Sequence, residues 1–266
     1  MSSLKIITVL LIQLTFIAGC NSISPNNNVK LDSKVKFEIY EAHPASVNSN
    51  IGIPEIHLRI ITEKIYPCSN YRINTFQNIS GGNISIYLPN LNVPDICLTS
   101  LGPAIADIPL NLINRKYNLK LIFNGITDNY DVDISDSVIY LNNNVGDMST
   151  PVYYKYFRYP KNSFAYYCGT LIEDKYICDD FLDTLKSYLK LKEFYFPQDG
   201  QKPYHDSLGG HYYEMPARFF IYNNDEDFNK IGNILSSYKK NVIKDKQGIG
   251  ISIVNWMNKS FYSWQY

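Results

Sequence analysis

The feature that most constrains the fold is a change of hydrophobic pattern near residue 142. Before it, short segments alternate apolar and polar residues, as from Val35 to Glu41, and this period is typical of half-buried β-strands. Apolar runs also flank Asn124-Gly125, which is a strong hairpin signal because both residue types tolerate positive φ. After it, two segments carry apolar residues at helical spacing. The pattern therefore predicts two domains, an N-terminal all-β domain and a C-terminal α+β domain.

The predicted N-terminal domain spans residues 35–142 and contains seven or eight short strands separated by frequent turns. This density of strands predicts a β-sandwich. An antibody-type domain would place a Trp between its paired cysteines, but both Trp256 and Trp264 lie far downstream. We therefore expect a sandwich that is Ig-like in shape only.

The predicted C-terminal domain spans residues 152–266 and follows a polar linker at residues 143–151. We predict one helix capped by Asp179-Asp180 and a second helix capped by Asn224, whose following acidic residues complement the helix dipole. The order is strand, helix, strand, strand, helix, strand, which is the βαββαβ pattern of ferredoxin-like folds. Additional strands at the chain end leave the exact topology open.

The start of the chain contains a short apolar run from Ile6 to Ile17, preceded by Lys5 and ending in Phe16-Ile17-Ala18-Gly19-Cys20. This segment resembles the lipobox of bacterial lipoprotein precursors. The resemblance implies that residues 1–19 are a signal peptide, that Cys20 becomes the first residue, and that Cys20 carries fatty acids such as palmitate. The alternatives are a secretory signal with a chance cysteine, or an uncleaved anchor, for which the run is short of roughly 20 residues.

The lipobox also predicts where the protein resides. Several acyl chains bind a membrane firmly, so we expect a membrane-anchored body outside the cytoplasm. Residues 20–34 are polar, include Pro25 and an Asn run, and are predicted to form a tether. In many Gram-negative bacteria an aspartate after the lipidated cysteine retains a lipoprotein in the inner membrane. Asn21 therefore favours the outer membrane if the organism is Gram-negative.

Four further cysteines remain after Cys20, and an even number in an exported chain suggests disulfides. Three connectivities are possible. Proximity in sequence and the predicted domain split favour Cys68–Cys97 and Cys168–Cys178, with free buried thiols as the alternative. No cysteine or histidine spacing matches a zinc motif.

The charge balance and the absence of common catalytic motifs argue against several partners and chemistries. The 25 basic and 25 acidic residues balance, and no block of like charge stands out, so we expect neither nucleic acid nor an acidic membrane surface as a partner. The chain contains no Walker loop, dinucleotide fingerprint or nucleophile elbow. We therefore predict no cofactor.

The densest polar cluster runs from His205 to Glu214. His205, His211 and Glu214 could bind a divalent metal as three ligands with an open fourth position, as a metal-dependent hydrolase requires. The spacing is not that of the helical H-E-x-x-H motif, and Gly209 and Gly210 suit a turn. We therefore expect a solvated loop here, with no catalytic residues.

The aromatic segment at residues 256–266 could present Tyr and Trp rings to a sugar or a peptide, although strands are normally rich in aromatic residues. We favour a terminal hairpin with one packed face. The sequence as a whole predicts a non-enzymatic envelope protein with a structural role or a binding role towards a protein or glycan. The alternative is the metal-dependent hydrolase.

Overall fold

The computed structural model describes residues 28–44, 51–142 and 146–266. Within these ranges, strands in three sheets greatly outnumber the two α-helices. The protein is therefore mainly β-sheet with a small α+β part. The predicted lipobox with Cys20 and most of the predicted tether lie outside the described residues.

Two sheets make up what we call the β-rich part, residues 28–157. Its strands in chain order are β1 (Asn28–Lys30), β2 (Val35–Ala42), β3 (Glu55–Tyr66), β4 (Arg72–Ile73), β5 (Phe76–Ser80), β6 (Asn83–Tyr87), β7 (Asn90–Asn92), β8 (Gly102–Leu110), β9 (Lys116–Ile122), β10 (Thr127–Ile134), β11 (Val138–Leu141), β12 (Ser149–Pro151) and β13 (Lys155–Phe157). The first sheet has the order β1-β7-β4-β8-β3-β2-β12, and the second has the order β13-β11-β10-β9-β6-β5.

One core lies between these two sheets, because a single cluster of buried side chains draws on both. Phe37 and Leu58 come from the first sheet, and Leu119 and Val132 come from the second. Strand β2 buries every second residue, as its sequence predicts. Tyr130 crosses the core, where its hydroxyl donates to the backbone oxygen of Ser149 at 2.8 Å.

The hairpin predicted around Asn124-Gly125 is present between β9 and β10. Ile122 pairs with Thr127, and the Phe123 amide donates to the Ile126 oxygen at 2.8 Å. Only Gly125 adopts a positive φ, of 88°. The turn therefore needs glycine at its second central position and not at both.

The sheets extend beyond the boundaries that the sequence predicts. Strand β12 lies inside the predicted linker and pairs in parallel with β2, while β13 pairs with β11. Strand β1 lies inside the predicted tether and pairs with β7. Each of these three strands has only three residues, which is too short for an alternating pattern to be recognised.

The C-terminal part, residues 158–266, contains the third sheet and both α-helices. Its elements are β14 (Ser163–Thr170), α1 (Tyr176–Tyr188), β15 (Lys192–Phe194), β16 (Tyr213–Ile221), α2 (Asp225–Tyr238), β17 (Gly250–Asn255) and β18 (Ser260–Tyr262). The sheet order is β15-β16-β14-β17-β18, and all neighbours are antiparallel. The first six elements occur in the order that the sequence predicts.

The two helices differ in how they begin. Helix α2 starts as predicted, because the Asn224 side chain accepts a hydrogen bond from the Asp227 amide at 3.0 Å. The predicted cap of α1 at Asp179-Asp180 is wrong, because the helix begins at Tyr176, and Lys175 provides no side-chain cap. A 3-10 turn at Ile172–Asp174 leads directly into α1 instead.

Both disulfides favoured from the sequence are present, and each lies within one part of the molecule. Cys68–Cys97 joins the segment after β3 to the loop between β7 and β8. Cys168–Cys178 joins β14 to α1, and both of its cysteines are fully buried.

Candidate binding cleft

The two parts meet around the end of β2. His43 Nε2 donates to the Trp256 oxygen at 2.9 Å, and the Gly52 amide donates to the Met257 oxygen at 3.0 Å. The His43 ring also lies 4.8 Å from the ring of Tyr159. These contacts fix the orientation of the C-terminal part at this end of the first sheet.

A second contact holds the loop between β15 and β16 against β13. The Phe157 amide donates to the Gln201 oxygen at 2.8 Å, and the Gln201 amide donates to the Lys155 oxygen at 2.9 Å. Lys155 also forms an ion pair with Asp199 at 2.8 Å. The loop is thus fixed through its backbone, while the exposed side chain of Gln201 donates from Nε2 to the Lys202 oxygen at 3.2 Å.

A cleft of about 270 Å³ opens between this loop and the outer face of the first sheet. Its polar walls come from both parts of the molecule. The sheet contributes Glu38, Tyr40 and Arg59, and the loop contributes Gln201, Lys202 and His205. Aromatic rings of Tyr156, Phe157 and Tyr204 also line it. A cleft at such a junction is a common position for a ligand site.

Arg59 is the centre of a hydrogen-bonded network on this face. Strand register places Glu38, Arg59 and Asp107 side by side on β2, β3 and β8. Arg59 donates to Asp107 Oδ2 through Nη2 at 3.2 Å and to Glu38 Oε1 through Nη1 at 3.4 Å. Its guanidinium carbon lies 4.7 Å from the centroid of the Tyr40 ring, which is a cation–π distance.

Asp107 accepts further hydrogen bonds from Tyr40 and His57. The Tyr40 hydroxyl donates to Oδ2 at 2.7 Å, and His57 Nδ1 lies 2.7 Å from Oδ1. Burial acts to raise the pKa of Asp107, but the hydrogen bonds from His57, Tyr40 and Arg59 together lower it. Burial, followed by the bond to Asp107, raises the pKa of Tyr40. Tyr40 is therefore a fixed donor and Asp107 a fixed acceptor at neutral pH.

Glu41 holds the back of the cleft and has a structural role. Its carboxylate is nearly buried and accepts from Arg158 Nε at 2.8 Å and from the Tyr159 amide at 2.7 Å. Arg158 also donates to Asn114 Oδ1 at 2.7 Å and to the Ser135 oxygen at 2.6 Å. This network fastens the chain where it leaves the β-rich part, so Glu41 is already committed to protein partners.

The residues predicted as possible metal ligands do not converge. His211 Nδ1 lies 3.1 Å from Glu214 Oε1, whereas His205 lines the cleft. Glu214 also accepts from the amides of Gly209 and His211, at 3.1 Å and 2.7 Å. In the part of the chain that the structure describes, no three His, Cys, Asp or Glu side chains form a group that could hold a metal ion.

Glu214 therefore closes a turn. Gly209 and Gly210 have φ values of 80° and 90°, which confirms that the glycines shape this turn. The predicted terminal hairpin is also present, because β17 pairs with β18. It leaves Trp264 57% exposed and stacked on Tyr262 with a centroid distance of 4.7 Å.

The Arg59 network was not predicted from the sequence. Alternation indicates only that Glu38 and Tyr40 share the outward face of β2 and that His57 and Arg59 share the outward face of β3. The alignment of these residues with Asp107 depends on the register of three strands, which no local pattern specifies.

Among residues 28–44, 51–142 and 146–266, no helix has the length and apolar character needed to cross a membrane. No protein-family model, curated protein or solved structure matches the chain. The function must therefore be argued from the site itself.

Proposed function

We propose that this chain is a lipid-anchored envelope protein whose cleft binds a neutral polar ligand, for which a glycan segment is the first choice. The observation that carries the proposal is the position of Tyr40 and Arg59, both held by hydrogen bonds to Asp107, on one wall of a cleft completed by the C-terminal part. The role is binding and not catalysis.

The charges of the cleft favour a neutral ligand. Arg59 lies between Glu38 and Asp107, and Lys202 is paired with Asp206. An ionic ligand would have to displace one of these pairs. Fixed donors and acceptors next to aromatic rings suit hydroxyl groups on a flat apolar ring face, which is the surface that a sugar offers. A protein segment is the competing ligand.

The proposed location rests on the lipobox at residues 16–20 and on the two disulfides. Disulfides persist outside the reducing cytoplasm. With Cys20 acylated, the body would be tethered at the outer face of a membrane, and Asn21 favours the outer membrane in a Gram-negative cell. We expect neither nucleic acid nor a cofactor as a partner.

We further propose that the β-rich part is an Ig-like sandwich domain and that the C-terminal part is a separate ferredoxin-like domain. The β14-α1-β15 unit supports the second assignment, because β16 lies between its two strands. Likewise, β14 lies between β16 and β17, which α2 connects. Two interlocked units of this kind make the split βαβ arrangement. Strand β18 is an additional edge strand that lies outside this arrangement.

The anchor is tested by Cys20→Ser in the full precursor. We expect wild type to incorporate labelled palmitate and enter the detergent phase, and the variant to do neither. Asn21→Ser is the matched control and should behave as wild type. A Cys20→Ser protein that still partitions and migrates as wild type would show that the anchor assignment is wrong.

The cleft is tested by Gln201→Ala combined with His205→Ala, both exposed residues of the loop. Binding to an array of neutral oligosaccharides should fall about tenfold, which corresponds to about 1.4 kcal/mol. Gln247→Ala is an exposed control outside the cleft. If the protein binds to a peptide array and to no oligosaccharide, the ligand is a protein segment and not a glycan.

Metal analysis separates binding from the hydrolase alternative. We expect His205→Ala with His211→Ala to leave folding, anchoring and envelope association through the lipid intact, although the loss of His205 weakens ligand binding in the cleft. Stoichiometric metal in wild type that disappears in this variant, together with loss of a hydrolytic activity, would favour the hydrolase.

A further inference from the structure

The loop between β7 and β8, residues 93–101, presents an unusual concentration of exposed apolar side chains. Ile96, Leu98 and Leu101 are 79%, 55% and 76% exposed. Single exposed apolar residues need no explanation, but three within six positions indicate a contact surface. We call this segment the apolar loop.

The apolar loop is held in place by its own bonds. Cys97 is linked to Cys68, so the middle of the loop is fixed to the end of β3. Asn70 Nδ2 donates to the Ile96 oxygen at 2.8 Å, and Asn70 Oδ1 accepts from the Leu98 amide at 3.2 Å. The backbone on both sides of Cys97 is therefore fixed. The exposed side chains therefore extend from an ordered backbone.

The chain enters the described structure beside this loop. Asn28, the first described residue, pairs with Asn92, which immediately precedes the apolar loop. Cys20 is eight residue steps before Asn28, and eight steps span at most about 28 Å. A lipid on Cys20 would therefore hold the membrane within reach of this end of the β-rich part.

The C-terminal part contacts the opposite end of the same sheet. Gly102, at the loop end of β8, pairs with Tyr66, whereas Leu110 at the other end pairs with Ile56. His43 and Gly52, which bind the C-terminal part, lie just beyond the strand ends near Ile56. The nine residues of β8 separate the two ends by about 26 Å.

We propose that the apolar loop docks on the bilayer that holds the Cys20 lipid, so that Ile96, Leu98 and Leu101 enter the interface. This inference rests on the lipid anchor of the proposed function. It gives the molecule a fixed orientation, with the C-terminal part on the side away from the membrane. The cleft then faces molecules in the surrounding envelope.

The loop chemistry favours apolar insertion over attraction to lipid charge. Residues 93–101 contain no Lys or Arg, and their only charged side chain is Asp95. Docking should therefore occur on zwitterionic phosphatidylcholine and be insensitive to salt, because charge screening acts only on electrostatic attachment.

The test uses the mature lipidated protein in phosphatidylcholine vesicles, with Ile96→Trp as an inserted probe and brominated lipid as quencher. We expect about a twofold loss of the added tryptophan emission, because the ring would lie in the interface. Ile113→Trp is the matched control, since Ile113 is 68% exposed and follows β8 at the far end. Its emission and that of Trp256 and Trp264 should be unchanged.

Each contrary outcome overturns a distinct claim. Equal quenching of the Ile96→Trp and Ile113→Trp proteins, with the lipid on Cys20 verified by mass, overturns docking and leaves the anchor intact. Absence of the lipid from Cys20 overturns both. An unquenched Ile96→Trp protein, together with a wild-type dimer that Ile96→Ser with Leu98→Ser dissociates, would assign the loop to a second copy. Leu101→Trp repeats the measurement at a second position.

Discussion

The two parts of the molecule differ in the share of aromatic side chains in their cores. The core of the β-rich part is mainly Ile, Leu and Val between two sheets. The core between the C-terminal sheet and its two helices combines Ile and Leu with a comparable number of Phe and Tyr, and a smaller, mainly aromatic cluster covers the other face of that sheet. Phe164 stacks on Phe220 at 5.4 Å, and Phe181 meets Tyr238 edge-on at 4.9 Å. Each aromatic ring buries a large area, so these rings add to the burial that Ile and Leu supply in the same core.

The disulfides show the same contrast. Cys168–Cys178 lies inside the aromatic core, with both residues fully buried. Cys97 is exposed, and its bond to Cys68 holds a surface loop. One disulfide therefore stabilises a core, and the other stabilises an exposed loop. The two bridges should therefore differ in their accessibility to a reductant.

The largest expected effect comes from core truncations placed in each part. Phe164→Ala should cost about 4 kcal/mol and Leu58→Ala about 3 kcal/mol of unfolding free energy, because both side chains are fully buried. If the parts are separate domains, each variant lowers one thermal transition and leaves the other in place. Calorimetry with hydrogen exchange resolved by segment measures this.

Surface variants provide the controls for that experiment. Tyr188 and Ile113 are 72% and 68% exposed, so Tyr188→Ala and Ile113→Ala should change stability little. A single transition that both core variants lower equally would show that the two parts unfold as one unit.

A smaller effect is expected in the order in which the two disulfides are reduced. A mild reductant without denaturant should open Cys68–Cys97 first, because Cys97 is exposed to solvent. Cys168–Cys178 should resist until the C-terminal part unfolds. Replacing either pair with alanines should cost about 2–4 kcal/mol. Alkylation followed by mass analysis of each peptide tests the order, and equal rates of reduction would contradict it.

Much of the fold was predictable because local patterns carry it. The period of two in Val35–Ala42, the Asn-Gly turn and the Asn224 cap each depend on neighbours within a few residues. The disulfide pairing followed from the domain split. These features need no knowledge of distant contacts.

Features that depend on distant partners were not predictable. Strand β12 is recognisable only by its parallel pairing with β2, more than a hundred residues earlier in the chain. Helix α1 starts without a side-chain cap, so its first turn gives no sequence signal. The alignment of Arg59 with Asp107 likewise depends on strand register. The cleft was therefore missed, although His205 on its rim was identified for another reason.

The contact between the two parts contains a titratable group, His43. Its Nε2 must carry the proton, because the partner is the backbone oxygen of Trp256. Burial lowers the pKa of His43 below its usual value of 6.5, outweighing the hydrogen bond to Trp256 and the attraction of Glu41, both of which raise it. A lowered folded-state pKa means that the contribution to stability is complete above pH 6.5. It is lost as the pH falls through the lowered value.

The smallest expected effect is therefore a weakening of this contact in mild acid. Between about pH 7.5 and about pH 5.5, the coupling between the two parts should weaken, because protonation places a positive charge on a partly buried ring. Hydrogen exchange at the Gly52 amide, corrected for its intrinsic pH dependence, measures the opening because this amide binds the Met257 oxygen. His43→Phe keeps a ring against Tyr159 but cannot titrate, so it should remove the pH dependence. His205→Ala, an exposed control, should retain it. If His43→Phe keeps the full wild-type pH dependence, another group controls the contact.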